Sequence, residues 1–200
     1  MRYTMQDKFY SDKRDLVKWA VLHRLAEIFQ AQRILQLAYY RRSDFPKVTI
    51  DDEEYDIPKE VIGHFRDLKT ISNINSTIRV AVFDHLFEDR HTYLNAAKAF
   101  LSNFRQQRCL VFLDPDTGLE PQNPSLDHVL ESEAKAIWKE TKSGDVYVFY
   151  QHQTNRAGRP WIEPKRGQLE KALGLPEHSI KIAQGPNIAR DVVLFYKQKP

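Results

Sequence analysis

The 200-residue chain has one cysteine, Cys109, so no internal disulfide can form. It opens an apolar run, which makes it a small buried hydrophobe rather than a thiol nucleophile. A reducing, cytoplasmic setting fits. No stretch approaches the ~18 apolar residues that span a bilayer, and the charged opening MRYTMQDKFYSDKRD lacks a signal peptide's apolar centre. The expectation is a soluble, unsecreted protein with no membrane partner. Net charge is small too, since 30 Lys and Arg against 27 Asp and Glu leave +3. That balance permits an anionic partner without arguing for one. His23, His64 and His91 form no i, i+4 pair and show no other metal-ligand spacing. Internal repeats, low-complexity tracts and Gly/Ser linkers are missing, which leaves nothing to divide the chain.

What is present is a succession of helical and extended patterns. After Ser11 or Asp12, either able to cap a helix, Val17, Val21, Leu25, Ile28 and Phe29 recur at helical spacing. RILQLAYY (33–40) reads as a strand stopped by RRSDFP. VTIDDEEYDI suggests a small hairpin, an insertion at 47–57, and Pro58 suits the first position of a helix carrying Val61, Ile62, Phe65 and Leu68. IRVAVFD (78–84) is a second strand. Tyr93, Ala96, Ala97, Phe100, Leu101 and Phe104 mark the clearest helix, followed by the strand CLVFLD. A helix through Leu130, Ala134, Ile137 and Trp138 is expected to stop at Gly144. DVYVFYQHQ is the next strand, EPKRGQLEKALG a short helix stopped by Gly174, and SIKIAQ with DVVLFYKQ a terminal antiparallel pair. Strands apolar on both faces, alternating with helices, indicate a sheet covered on each side. The fold class is therefore α/β: one domain over residues 1–200, doubly wound and Rossmann-like, with a mostly parallel sheet and a C-terminal antiparallel strand pair.

In such a sheet each parallel strand ends at the same edge, where ligands bind. The strand ends supply Tyr39, Tyr40, Arg41 and Arg42; then Asp84; then Asp114 and Asp116; then Gln151, His152 and Gln153. Arginines beside tyrosines suit a phosphate or a stacked base, because guanidinium binds phosphate bidentately and aromatic faces stack. Gln151 and Gln153 can orient an imidazole or read a base edge. Asp114-Pro115-Asp116-Thr117-Gly118 also has the makings of an ordinary turn, and Asp84 those of a helix cap. RAGRPWIEPKRG (156–167) adds Lys165 and three further cations, a candidate flap over an anion.

The helix ahead of the first strand, FLDPD at the third strand and the closing pair resemble the class I S-adenosylmethionine-dependent methyltransferase fold. FYSDKRDLVKWAVLHRLAE is similar to the opening helix of ribosomal RNA adenine-N6 methyltransferases and of three-cysteine-motif partner proteins. The whole chain also resembles a family of uncharacterised bacterial proteins carrying DLVKW, FLDPDTGL, YQH and PWIEPKR in this order. The methyltransferase resemblance implies S-adenosylmethionine as cofactor and a nucleic acid or nucleotide as substrate. It assigns Asp84 to the ribose hydroxyls and Asp114-Pro115-Asp116 to the place of the Asp-Pro-Pro-aromatic motif that holds a target amino group. The chain departs from that pattern where YYRRSD replaces the glycine-rich loop after the first strand, where Asp116 and Thr117 replace proline and aromatic, and in having one strand fewer before FLDPD.

Two other functions fit the same residues. In a metal-dependent nuclease or phosphodiesterase, Asp84, Asp114 and Asp116 would hold Mg²⁺, His152 would act as general base, and Arg41 with Lys165 would neutralise phosphate. A non-catalytic scaffold would bind a nucleotide or a protein partner through Tyr39 to Arg42.

Overall fold

A computed structural model of the chain describes residues 12–41, 47–61, 67–73, 77–153 and 158–200. Ser11, Arg42, Ile62, His64, Phe65 and Arg156 lie outside the described residues. In chain order the elements are α1 (Lys13–Ile28), β1 (Arg33–Ala38), β2 (Val48–Ile50), β3 (Glu53–Tyr55), a 3₁₀ segment (Leu68–Asn73), β4 (Arg79–Phe83) and α2 (Arg90–Ser102). They continue with β5 (Cys109–Asp114), β6 (Gly118–Leu119), β7 (His128–Val129), α3 (Glu131–Glu140), β8 (Val146–His152), α4 (Ile162–Leu173), β9 (Lys181–Gly185) and β10 (Ala189–Gln198).

Six strands form one sheet in the order β4-β1-β5-β8-β10-β9. β4, β1, β5 and β8 are parallel, whereas β10 runs antiparallel to both β8 and β9. The fold is thus α/β with a mixed, mostly parallel central sheet. The order reverses at β1, because the chain leaves it for β4 on one side and returns to β5 on the other. Among the described residues no helix is long and apolar enough to cross a membrane.

Strand alternation divides the core in two. Leu110 and Phe112 of β5 join Ile34, Val148 and Leu194 under α1, while Val111 and Leu113 join Leu35, Leu37 and Phe149 under α2, α3 and α4. Every residue of β5 is buried, as a strand covered on both faces must be. α1 begins at Asp12, whose side chain accepts from the Arg14 and Asp15 N–H groups. Its buried face is Val17, Lys18, Trp19, Leu22, Leu25 and Ala26, and Ile28 is 64% exposed. Val17, Val21, Leu25 and Phe29 of the expected stripe pack against the core, Ile28 does not, and Trp19, Leu22 and Ala26 widen the buried face beyond it. α1 also lies so close to β9 that a Cβ on Gly185 would stand 2.8 Å from Val17 Cγ2, which glycine avoids.

Two further boundaries differ from expectation. α3 ends at Thr141 rather than at Gly144, which takes φ +84° in the following turn and donates its N–H to the Lys199 carbonyl. α2 is capped by Asp89, whose carboxylate accepts from Thr92 N–H, so Asp84 is not the cap. α4 stops at Gly174 in the left-handed conformation, φ +69°. β2 and β3 pair as an exposed antiparallel hairpin outside the main sheet, turning through Asp51 and Asp52 at φ +51° and +66°.

Candidate functional site

The end of β1 is bracketed by carboxylates. The registers Leu37 with Phe83 and Ala38 with Asp114 set Asp84 on one side of the strand end and Asp114 on the other. Asp84 stands partly exposed just past β4. Asp114 is quite different, at 0% exposure. Its side chain points under α1, where Lys18 Nζ lies 2.9 Å from Oδ1 and Gln36 Nε2 donates to Oδ2 at 2.7 Å. Lys18 also pairs with Asp15 at 2.8 Å and lies 4.9 Å from the centre of the Tyr150 ring. Burial raises the Asp114 pKa and Lys18 opposes the rise; burial likewise works against the Lys18 charge, but Asp114 and Asp15 leave that ammonium raised well above its ordinary value.

Asp116 is held by Arg41, whose Nη2 lies 2.5 Å from Oδ2, and its side chain is 1% exposed. The same guanidinium pairs with Asp127. Burial opposes the Arg41 charge, and the two carboxylates outweigh it and raise its pKa. The two tyrosines before Arg41 do not stand in the crevice. Tyr39 is buried with ring centres 4.9 Å from both Phe87 and Tyr93, and Tyr40 packs with Ala38 against Val82 and Leu86.

Arg41 belongs to a wider pattern. Residues 115–130 leave β5, cross the sheet edge and return to α3, and side chains from four elements pin them. Arg90 of α2 donates to the Ser125 and His128 carbonyls and pairs with Glu133. Gln151 of β8, at 0% exposure, accepts from Leu119 N–H at 2.9 Å and donates to the Thr117 carbonyl at 3.2 Å. Lys165 of α4 donates to the Leu119 and Glu120 carbonyls and to Gln168 Oε1, all within 3.0 Å, so its three protons are engaged. Burial lowers its pKa against the pull of Glu131 and Glu120. Glu163, Lys165 and Arg166 lie on α4, so this part of the expected flap is helix.

His152 faces another way. Its Nε2 lies 3.3 Å from Asp191 Oδ2 and its Nδ1 lies 3.0 Å from the Gln153 carbonyl, so both ring nitrogens face acceptors. Asp191 is gripped by Arg14 through Nε at 2.9 Å and Nη2 at 2.7 Å, and Gln153 N–H donates to the Asp191 carbonyl. Beside this group is a pocket of about 360 Å³ between the start of α1, the end of β8 and the β9–β10 turn.

The strand-end carboxylates, Arg41 and His152 therefore share one topological edge, but their side chains separate into four environments: Asp84 at the β4 end, Asp114 beneath α1, Arg41 with Asp116 in the pinned crossing, and His152 with Asp191. The three carboxylates assigned to Mg²⁺ do not form one ligand set, since Asp114 is closed in with Lys18 and Asp116 with Arg41. Among the described residues no group of three or more His, Cys, Asp or Glu is arranged to hold a metal ion. Sequence reasoning missed Lys18, Gln36, Arg14, Asp127 and Asp191. Charges inside a helix or at a strand start read as solvated, and only their partners in space reveal them. No protein-family model matches the chain, and no curated protein sequence matches it.

Proposed function

We propose that the chain is a methyltransferase-like protein that binds S-adenosylmethionine where β1 ends beside β4 and acts on a nucleic acid or nucleotide. The observation that carries the reading is topological: β1 is the switch strand of a doubly wound sheet, Asp84 lies at its flank, and the reversed β10 lies between β8 and β9. Asp84 would accept hydrogen bonds from the ribose hydroxyls. The inward packing of Tyr39 and Tyr40 keeps their rings out of the path of a nucleoside at the β1 end, which supports the reading despite the absent glycines. The cofactor would supply an electrophilic methyl group, and this chain's residues would orient donor and acceptor. Asp114 and Asp116 would fix the crossing of residues 115–130 over the edge, acting as positioning residues.

The test is calorimetric titration with S-adenosylmethionine. Saturable binding that Asp84→Asn weakens about tenfold, the loss of one charge-assisted hydrogen bond, is the expected result; no heat at millimolar ligand overturns the reading. A second reading is favoured by the enclosure of Asp114, the residue the resemblance assigns to the target amino group: a scaffold that binds ligand without chemistry. Cofactor binding without transfer of labelled methyl to RNA, DNA or nucleotides selects it.

A further inference from the structure

Two cations at the pocket beside Asp191 have no ion-pair partner among the described residues: Lys13, at the first position of α1, and Arg190, the second residue of β10, both exposed. The one carboxylate lining the pocket among the described residues, Asp191, shares the Arg14 guanidinium with Asp12, so Lys13, Arg14 and Arg190 stand against these two carboxylates. The site is therefore positive, with the Asn187 amide beside the cations and Ile188, 49% exposed, as an apolar wall. At about 360 Å³ it falls within the size range of small-ligand sites.

Its position decides what it would take. The end of β4, with Asp84, and the start of β10, with Asp191, are four strand spacings apart along one edge. At about 4.8 Å per spacing the separation is roughly 19 Å. A nucleoside held at Asp84 cannot also fill this pocket, so an anion here belongs to a second, longer ligand. We infer that the pocket seats a backbone phosphate of a single-stranded nucleic acid, with Lys13 and Arg190 neutralising the phosphate, Asn187 donating a hydrogen bond and Ile188 meeting the adjacent base or sugar. The inference rests on the functional reading above and names its substrate as a polynucleotide rather than a free nucleotide.

The experiment is fluorescence anisotropy with labelled single-stranded RNA and DNA of about 12 nucleotides, a common footprint for single-strand binding. Parent protein is compared with Lys13→Ala/Arg190→Ala and with Lys139→Ala/Lys181→Ala, which removes the same charge from exposed positions away from the pocket. The pocket variant is expected to bind at least about tenfold more weakly and to lose about 0.7 from the slope of log K against log salt, as for one phosphate contact on a single strand. The remote variant should match the parent. Equal weakening in both variants overturns the inference, as does a parent that binds no oligonucleotide, and unlabelled nucleoside monophosphate competing as well as the unlabelled strand overturns the polynucleotide assignment. S-adenosylmethionine titration of the pocket variant separates the two readings: normal cofactor binding alongside a failed oligonucleotide result removes this inference alone.

Discussion

Lys18 and Asp114 form an ion pair closed to water, at 5% and 0% exposure, with the partly exposed Asp15 as a second carboxylate on the same ammonium. Removing only the ammonium leaves Asp114 charged and unpaired in low dielectric, a change that costs about 3–5 kcal/mol. Lys18→Met is accordingly expected to lower the unfolding free energy in urea by about that much, and adding Asp114→Asn should return part of the loss. A Lys18→Met protein as stable as its parent would mean that the Asp114 carboxylate finds another partner. Asp191 gives a pH signature. Burial works against its charge, but the hydrogen bond and charge of Arg14 outweigh burial, His152 adds to them, and the carboxyl falls below its ordinary 3.8. The folded state then binds fewer protons than the unfolded one, so this group stabilises above pH 3.8 and the contribution disappears as pH falls through the folded value. Asp191→Asn should flatten the acid limb of stability against pH below 3.8, by a small amount because the side chain is partly exposed. Urea midpoints across that range check it, and parallel curves for variant and parent would remove Asp191 from the acid response.

The crossing over residues 115–130 depends on a single glycine. Gly118 has φ +125°, outside the region L side chains adopt, and a Cβ there would lie 2.4 Å from the Gln151 carboxamide. Gly118→Ala should cost about 1–3 kcal/mol through backbone strain alone, with the displaced Gln151 giving up its hydrogen bonds to Thr117 and Leu119. Because the two residues share one contact, Gly118→Ala/Gln151→Ala should be less destabilised in thermal melts than the sum of the single variants. Additive losses would mean that the strand end and the crossing are not coupled. The same element shows why the sequence revealed some features and not others. β5 was readable because a run buried on both faces is apolar at every position, and the first residue that breaks the run marks the edge. β6 and β7 were not, since two-residue strands such as Gly118–Leu119 and His128–Val129 have no periodicity, and their pairing depends on Arg90 and Gln151 from distant parts of the chain. The stripe of α1 is legible except for its buried charge, because Lys18 occupies a buried position by pairing with Asp114, a contact that helical spacing cannot disclose. At the edge, residue types were legible and side-chain directions were not. Asp114 follows the strand alternation onto the α1 face, and its partner Gln36 lies on the same face of β1, two residues before Ala38, the residue in register with Asp114.

Across the whole molecule, β10 lies inside the sheet rather than at its rim. Val192, Val193, Leu194 and Phe195 of β10 are each at most 1% exposed, and β10 pairs with β8 on one side and β9 on the other. β9 forms the rim, with Lys181 and Gln184 exposed. β10 closes both halves of the core, since Leu194 packs in the layer under α1 while Val193 and Phe195 pack under α2, α3 and α4. Its amides can open only when both layers separate, which amounts to global unfolding. Native-state hydrogen exchange should therefore place peptides from β1, β5, β8 and β10 in one slowest group whose opening free energy equals that from urea unfolding. The β2–β3 hairpin, exposed at every position, should exchange far sooner. If β10 instead exchanges with the hairpin, the sheet ends functionally at β8, and a pocket built against Arg190 and Asp191 would have no rigid wall to hold a ligand.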